Sequence, residues 1–208
     1  MDQREKMVEE IKAKYGLNSP RVYKAMLKVP REEFAPLKYS HLAYKDQPIP
    51  IGFGQTMSQP FTVAFMTHLL DLSGDEKVLE VGTGSGYQAA VLSKLAKAIY
   101  SIEIVPQLSK KAKNVLKKLK IKNVWVKQGS GEWGWKEKAP FDSVIVTAGL
   151  DEVPGELLDQ LKVNRVLVAP IGKGANKEMT RLIKREGGVF EKNTYGVFHF
   201  VPFVEESN

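Results

Sequence analysis

Two carboxylates and three closely spaced glycines are the residues of this 208-residue chain most able to do chemistry. Gly82, Gly84 and Gly86 follow the apolar run Val78-Leu79-Glu80-Val81 directly, and a second acid, Glu103, lies seventeen residues after Gly86. Glycines at this spacing let a backbone turn sharply and bring its amides against a ligand, where a side chain would intrude. A carboxylate at the end of the next strand can accept two hydrogen bonds from the hydroxyls of a ribose. The chemistry implied is the holding of a nucleoside.

The elements needed to position these groups can be read on either side of them. Val78 to Val81 suits a buried strand with Glu80 at its carboxyl end, Gln88 to Ala96 a helix, and Ile99 to Ile104 a second strand that ends in the acid. Dinucleotide sites usually carry GxGxxG with a pyrophosphate on the helix N-terminus, whereas the spacing here is GxGxG preceded by Glu80. An acid beside the site would repel a pyrophosphate and tolerate a cationic cofactor, which favours S-adenosylmethionine over NAD.

Composition narrows the remaining classes. Hydrophobic residues make up 43% and charged residues 26%, and no apolar run approaches the roughly 20 residues of a membrane helix. The opening MDQREKMVEE is too charged for a secretory signal, so a cytoplasmic protein is expected, with no membrane partner. The absence of cysteine excludes disulfides, thiolate metal sites and a cysteine nucleophile. Three scattered histidines, His41, His68 and His199, make no metal site, and none is expected. A net charge of +7 raises the question of nucleic acid. Seven lysines between Lys110 and Lys122, however, share a helix whose other face carries Leu108, Ala112, Val115, Leu116 and Leu119, the pattern of a solvated face.

Taken in order, Asp2 to Tyr15 reads as an amphipathic helix stopped near Gly16, and Asn18-Ser19-Pro20 supplies a capping side chain and a first-turn proline for a second. Five prolines between Pro30 and Pro60 predict an extended, irregular connection. Within it, Pro50 to Pro60 clusters glycines, hydroxyls and amides just before a helix over Phe61 to Leu70. Taken alone, Ser58 reads as the N-cap of that helix. As part of a small, polar loop it could instead fold over the nucleoside site and meet the reacting part of a substrate. Further strands are expected at Asn123 to Lys127, Phe141 to Gly149 and Arg165 to Pro170. The small residues Gly129-Ser130-Gly131 suit a wall for an adenine, and Thr147 and Ala148 fall at the carboxyl end of their strand. A helix is expected over Gly155 to Leu161, and an antiparallel pair within Met179 to Val204 closes the sheet.

With these pieces assembled, the chain resembles the protein L-isoaspartate (D-aspartate) O-methyltransferase family over nearly its whole length. GQTMSQP at Gly54 to Pro60 is similar to that family's signature loop and VLEVGTGSGYQAA at Val78 to Ala90 to its cofactor loop; YSIEI, PFDSVIVTAG and HFVPF follow in the family's order. The resemblance implies an α/β, Rossmann-like class I methyltransferase, with a central, mostly parallel seven-stranded sheet flanked by helices and an N-terminal helical cap. It implies one domain over 1–208, with the cap and active-site loop in 1–60 and the cofactor-binding core in 61–208.

The same resemblance implies methyl transfer from S-adenosylmethionine to the free carboxylate of an isoaspartyl or D-aspartyl residue in a damaged protein, with S-adenosylhomocysteine as product and Ser58 at the catalytic position. It assigns the cofactor to Glu80, Gly82, Thr83, Gly84, Ser85 and Gly86, to Glu103, Ile104 and Leu108, to Gly129, Ser130 and Gly131, and to Thr147 and Ala148, with Thr56 and Met57 contributed by the loop. Isoaspartyl peptides and proteins are the expected partners of a monomer, and nucleic acid is not. Two departures are visible. Ser130 stands where the family usually has an acid, and Val163-Asn164 where it often has two glycines. Methylation of RNA or of a small molecule is the rival reading from the same fold, and a nonenzymatic nucleoside-binding protein the rival from another class.

Overall fold

The computed structural model describes residues 1–204, so the last four residues of the expected domain lie outside the described residues. Helix α1 (Gln3–Tyr15) starts where Asp2 Oδ1 accepts from the amides of Arg4 and Glu5 while Glu5 Oε2 accepts from the Asp2 amide. This reciprocal box satisfies amides that the first turn leaves without partners. The helix stops at Gly16, which is left-handed (φ 63°) as a C-terminal glycine usually is. Helix α2 (Pro20–Leu27) follows, but Ser19 does not cap it; its hydroxyl pairs with His68 Nδ1 at 3.2 Å instead.

The proline-rich connection is more regular than expected. Arg31–Phe34 and Leu37–Leu42 form 3₁₀ turns, and β1 (Ile49–Gly52) pairs antiparallel with β2 (Gln55–Met57). Phe53 and Gly54 make the two-residue turn, both at positive φ (55° and 70°), as such hairpins demand. Helix α3 (Pro60–Leu69) then begins with Gln59 at the N-cap position, not Ser58. Its first free amide, that of Phe61, is met from outside the segment by Asp46 Oδ1 at 3.0 Å. Asp46 Oδ2 also accepts from Tyr15 Oη (2.6 Å) and from Gln59 Nε2 (3.2 Å), so one carboxylate ties α1 to the start of α3.

The chain next alternates strand and helix: β3 (Lys77–Val81), α4 (Tyr87–Leu92), β4 (Ala98–Glu103), α5 (Pro106–Lys118), β5 (Val124–Gln128), β6 (Phe141–Val146), α6 (Gly155–Asp159), β7 (Leu161–Ile171), β8 (Asn176–Lys184) and β9 (Phe190–His199). The strands form one seven-stranded sheet ordered β5-β4-β3-β6-β7-β8-β9, parallel up to β7 and antiparallel thereafter. This is a Rossmann-like sheet, and its order reverses between β3 and β6, where such folds bind ligands.

Both faces are buried, which is why β6 is apolar almost throughout. Val78, Ile99 and Ile145 point to the side packed by α1 to α5, whereas Leu79, Val81, Val144 and Val146 point to the side of α6. Among the described residues no long helix lies over β4 and β5 on that second side, since α6 has only five residues and packs on β7. There Tyr100 stacks on Trp125 (5.1 Å, 16°) and meets Trp135 edge-on (5.4 Å, 81°). The five lysines of α5 face outward as expected, whereas Lys120 and Lys122, expected on the same helix, follow its end. Strand β7 begins earlier than expected, at Leu161, and carries a bulge with Asn164 left-handed (φ 60°); asparagine tolerates this conformation where the resembled family often uses glycine. Among the described residues no helix is long and apolar enough to cross a membrane.

Because Asp46 serves two helices and its side chain is only 12% exposed, Asp46→Ala should destabilise the fold by about 1 to 3 kcal/mol, combining a lost cap with a half-buried phenol deprived of its acceptor. Urea unfolding measures this. A change within 0.5 kcal/mol, roughly the noise of a neutral surface substitution, would show that the carboxylate does not join α1 to α3.

Candidate active site

A cleft opens at the carboxyl ends of β3, β4 and β6, floored by the turn that leaves β3. The amides of Gly82 and Thr83 both donate to the carbonyl of Ile102 (2.9 and 3.1 Å), and the Gly86 amide closes the turn on the Thr83 carbonyl (2.8 Å). Gly82 has φ 99°, and a Cβ there would run into Thr147 Oγ1. That hydroxyl clamps the turn to β6 by donating to the carbonyls of Gly82 (2.6 Å) and Val81 (3.1 Å). Gly131 is equally constrained, since a Cβ would collide with Val81 and crowd the Phe203 ring.

Glu103 lines this cleft at the end of β4, with Oε2 accepting from the Gly84 amide (2.7 Å) and Oε1 from the Val105 amide (2.9 Å). Burial pushes its carboxyl above the usual carboxylate range, opposed by those backbone donors. Each oxygen keeps a second lone pair, so the group can still accept from a diol. A glycine floor that admits close approach, with a carboxylate at its edge, fits the ribose and adjoining chain of an adenosyl cofactor.

Glu80 lies elsewhere. It is fully buried, accepts from Ser101 Oγ, and extends into a chain in which Ser101 Oγ meets Thr83 Oγ1 at 2.5 Å; its Oε1 has no partner among the described residues. Desolvation pushes its pKa up to about 8, opposed by the Ser101 bond and aided by the nearby charge of Glu103. It does not line the cleft, so the expected repulsion of a pyrophosphate by this acid is corrected: Glu80 faces the interior, and the carboxylate at the cleft is that of Glu103.

Ser58 lies in a second recess, a groove bounded by Tyr15, Pro48, Gln59, Phe61 and the end of β9 with the residues after it, Val197 to Val201. It is half-buried, and its carbonyl accepts from Arg31 Nη2 at 2.6 Å. Thr56, Thr147 and Val201 line both the groove and the cleft, so the two recesses meet at these residues.

Of the other residues singled out from the sequence, Gly82, Gly84, Ile104, Gly131, Thr147 and Ala148 line the cleft with Glu103 and Thr56. Met57 is buried beneath the hairpin and Thr83 beneath the turn. Ser85 and Leu108 face a neighbouring depression with Phe34 and Lys111, and Gly86 sits at the start of α4 against Ala112 and Phe34. Gly129 turns the chain after β5 (φ 158°), and Ser130 is buried with its Oγ donating to Glu132 Oε1 at 3.0 Å. A carboxylate, that of Glu132, thus lies within hydrogen-bond reach of Ser130.

Sequence reasoning missed Gln55 and the segment Val201 to Val204, which close one side of the cleft. The segment is held by Gly149, whose amide donates to Val201 (2.8 Å) and whose carbonyl accepts from Phe203 (3.0 Å). The HFVPF run that starts on the last residue of β9 was the available signal.

Fold and site together define the class: a Rossmann-like class I methyltransferase. A family model described as Protein-L-isoaspartate(D-aspartate) O-methyltransferase matches residues 2–208, and the chain belongs to that family. A protein-L-isoaspartate O-methyltransferase of Gloeobacter violaceus is 45% identical over 201 residues, covering 96% of this chain and 98% of its own. A solved structure of a protein-L-isoaspartate O-methyltransferase superimposes with a TM-score of 0.84 at 31% identity, covering 96% of this chain, while this chain spans 65% of that longer one. A Plasmodium falciparum structure of the same description, in complex with S-adenosyl-L-homocysteine, shares the fold at a TM-score of 0.87 and 23% identity over 99% of this chain and 100% of its own.

The state of Glu80 has a measurable consequence. Its folded pKa lies above its unfolded value, so the folded chain keeps a proton that the unfolded chain loses. The resulting stability is fully present below the ordinary carboxylate range, near ~4.3, and is lost as pH rises through that range toward about 8. Melting temperatures of the parent and Glu80→Gln across that window should show the variant gaining on the parent as pH rises. Parallel profiles would mean that Glu80 is ionised in the fold.

Proposed function

We propose that this protein is a repair methyltransferase. It transfers a methyl group from S-adenosylmethionine to the free carboxylate of L-isoaspartyl, and D-aspartyl, residues in damaged proteins, giving a methyl ester and S-adenosylhomocysteine. The observation that carries this reading is the junction of the two recesses at Thr56, Thr147 and Val201. A side chain entering from the groove past Ser58 arrives at the cleft where a nucleoside is held. Family membership supports the same reaction, as do the name of the Gloeobacter relative and the ligand of the Plasmodium structure.

S-adenosylmethionine supplies a methyl group on positively charged sulfur, and transfer makes an oxygen–carbon bond as the sulfur–carbon bond breaks. Glu103 holds the ribose hydroxyls, Gly82 and Gly84 pass the amino-acid end, and the Gly129 to Gly131 turn lies along the adenine, with Glu132 close enough to Ser130 to supply the missing acid. Ile104, Thr147 and Ala148 wall the cleft; Thr83, Ser85, Gly86, Leu108, Met57 and the buried Glu80 act by supporting it. A substrate carboxylate, with a pKa near ~4, is already ionised at neutral pH, so no general base is needed. What remains for the chain is to align an oxygen with the methyl group and to exclude water. Ser58 does the first by donating its hydroxyl to one carboxylate oxygen, leaving the other free to attack.

The protein acts as a single domain over 1–208. We also propose that it is a cytoplasmic monomer and that its basic charge does not serve nucleic acid, because the α5 lysines are dispersed over an exposed helix face. Methyl transfer to an isoaspartyl peptide, to its aspartyl twin and to bulk RNA tests the reading directly. Labelling of the first alone is expected; labelling of RNA alone would overturn it.

Ser58→Ala should lower turnover on the isoaspartyl peptide by about ten- to a hundredfold, with S-adenosylhomocysteine affinity nearly unchanged. Steady-state kinetics beside calorimetric titration measures both, and normal turnover would remove Ser58 from catalysis. Glu103→Ala should weaken S-adenosylhomocysteine by about 1.5 to 3 kcal/mol for each ribose bond lost. Unchanged affinity in a folded variant would mean that the nucleoside lies elsewhere.

A further inference from the structure

Arg31 is fully buried, and no carboxylate lies within ion-pair distance of it among the described residues. Its guanidinium instead serves backbone. Nε donates to the carbonyl of Ala43 at 2.7 Å and Nη2 to the carbonyl of Ser58 at 2.6 Å, while the plane lies over the Tyr87 ring, 4.5 Å from its centroid. A cation is costly to bury, and an apolar side chain of similar shape would fill the space without that cost. It would also leave two carbonyls unpaired in a segment outside the main sheet. The fixed fork of a guanidinium reaches both at once, which the single ammonium of a lysine cannot do with the same geometry.

The three contacts join parts with different duties. Ala43 belongs to the connection ahead of Asp46, Ser58 to the loop that lines the groove, and Tyr87 is the first residue of α4, directly after the glycine turn. Phe34, on the same 3₁₀ turn as Arg31, meets Tyr87 edge-on at 5.7 Å and lies where a Cβ on Gly86, just ahead of α4, would meet its ring. The Ser58 peptide is therefore fixed to the element that leaves the cofactor turn, and not only to its own neighbours.

We propose that Arg31 is a positioning residue for methyl transfer: by gripping the Ser58 carbonyl against Tyr87, it sets the direction of the Ser58 hydroxyl relative to the cleft. The proposal rests on Ser58 as the group that orients the substrate carboxylate. Arg31 touches neither substrate nor cofactor and acts through that peptide.

The test compares Arg31→Lys, Arg31→Met, Ser58→Ala and the double variant Arg31→Lys with Ser58→Ala, measuring kcat, KM and S-adenosylhomocysteine affinity. Arg31→Met should lower kcat by about ten- to a hundredfold with affinity changed less than about twofold, and Arg31→Lys should recover part of the loss. In the double variant the lysine should add little to the loss from Ser58→Ala, because residues acting through one another are not additive. Fully additive losses would overturn the role of Arg31 while leaving Ser58 in place. A Ser58→Ala enzyme of normal rate would instead remove the reading on which the proposal rests. Where the variants fail to fold, the parent protein decides: with S-adenosylhomocysteine bound, the slowly exchanging Nε proton of Arg31 should shift in its NMR spectrum on titration with isoaspartyl peptide and not with the aspartyl twin. A resonance unmoved at saturation overturns the proposal.

Discussion

The close approach of the Gly82 turn to Thr147 is the constraint on which the site depends. Parallel strands β3 and β6 pair up to Val81 and Val146, and Thr147 then turns its hydroxyl onto the carbonyls of Val81 and Gly82. The contact leaves no room for a Cβ, so a backbone surface is exposed to the cleft in place of a side chain. The position of Glu103 follows from it, because Gly84 in the same turn donates to its carboxylate. The turn, the acid and the wall of β6 are joined by these hydrogen bonds into one unit, and such preorganisation spares the ordering cost of binding.

Around this unit the electrostatics run opposite to the net charge. The chain is basic overall, yet the groups nearest the turn are the acids Glu80 and Glu103, both held above their ordinary pKa by burial. The positive charge is carried by exposed lysines, as on α5. A surface that is basic far from the site, with the Glu103 carboxylate at the cleft itself, separates solubility from recognition.

Much of the fold was legible because its signals are local. The glycine turn, the apolar run of β6 and the lysine face of α5 each follow from residue types whose backbone or solvation needs admit few alternatives. The hairpin before α3 was hidden by its prolines. Pro50 pairs opposite Thr56 in a two-stranded ribbon, and an outer edge tolerates a residue without an N–H. The cap of α3 was equally hidden, since Asp46 reaches it from fifteen residues away and capping rules look only at adjacent positions. Of the site, the cleft-lining glycines and Glu103 were readable. The submerged position of Glu80, the grip of Arg31 on Ser58 and the cover formed by Val201 to Val204 were not, because each is a contact between distant parts of the chain.

The aromatic cover over β4 and β5 makes one corner of the molecule optically distinctive. The three tryptophans of the chain are Trp125, Trp133 and Trp135, all between the start of β5 and the loop that follows Gly131. Trp125 and Trp135 contact the same tyrosine, and Gln160 receives the Trp135 amide and bonds the Trp133 carbonyl. Indole emission from this protein therefore arises wholly beside the Gly129 to Gly131 turn, and the fluorescence of the unmodified chain is a local reporter of that side of the cleft.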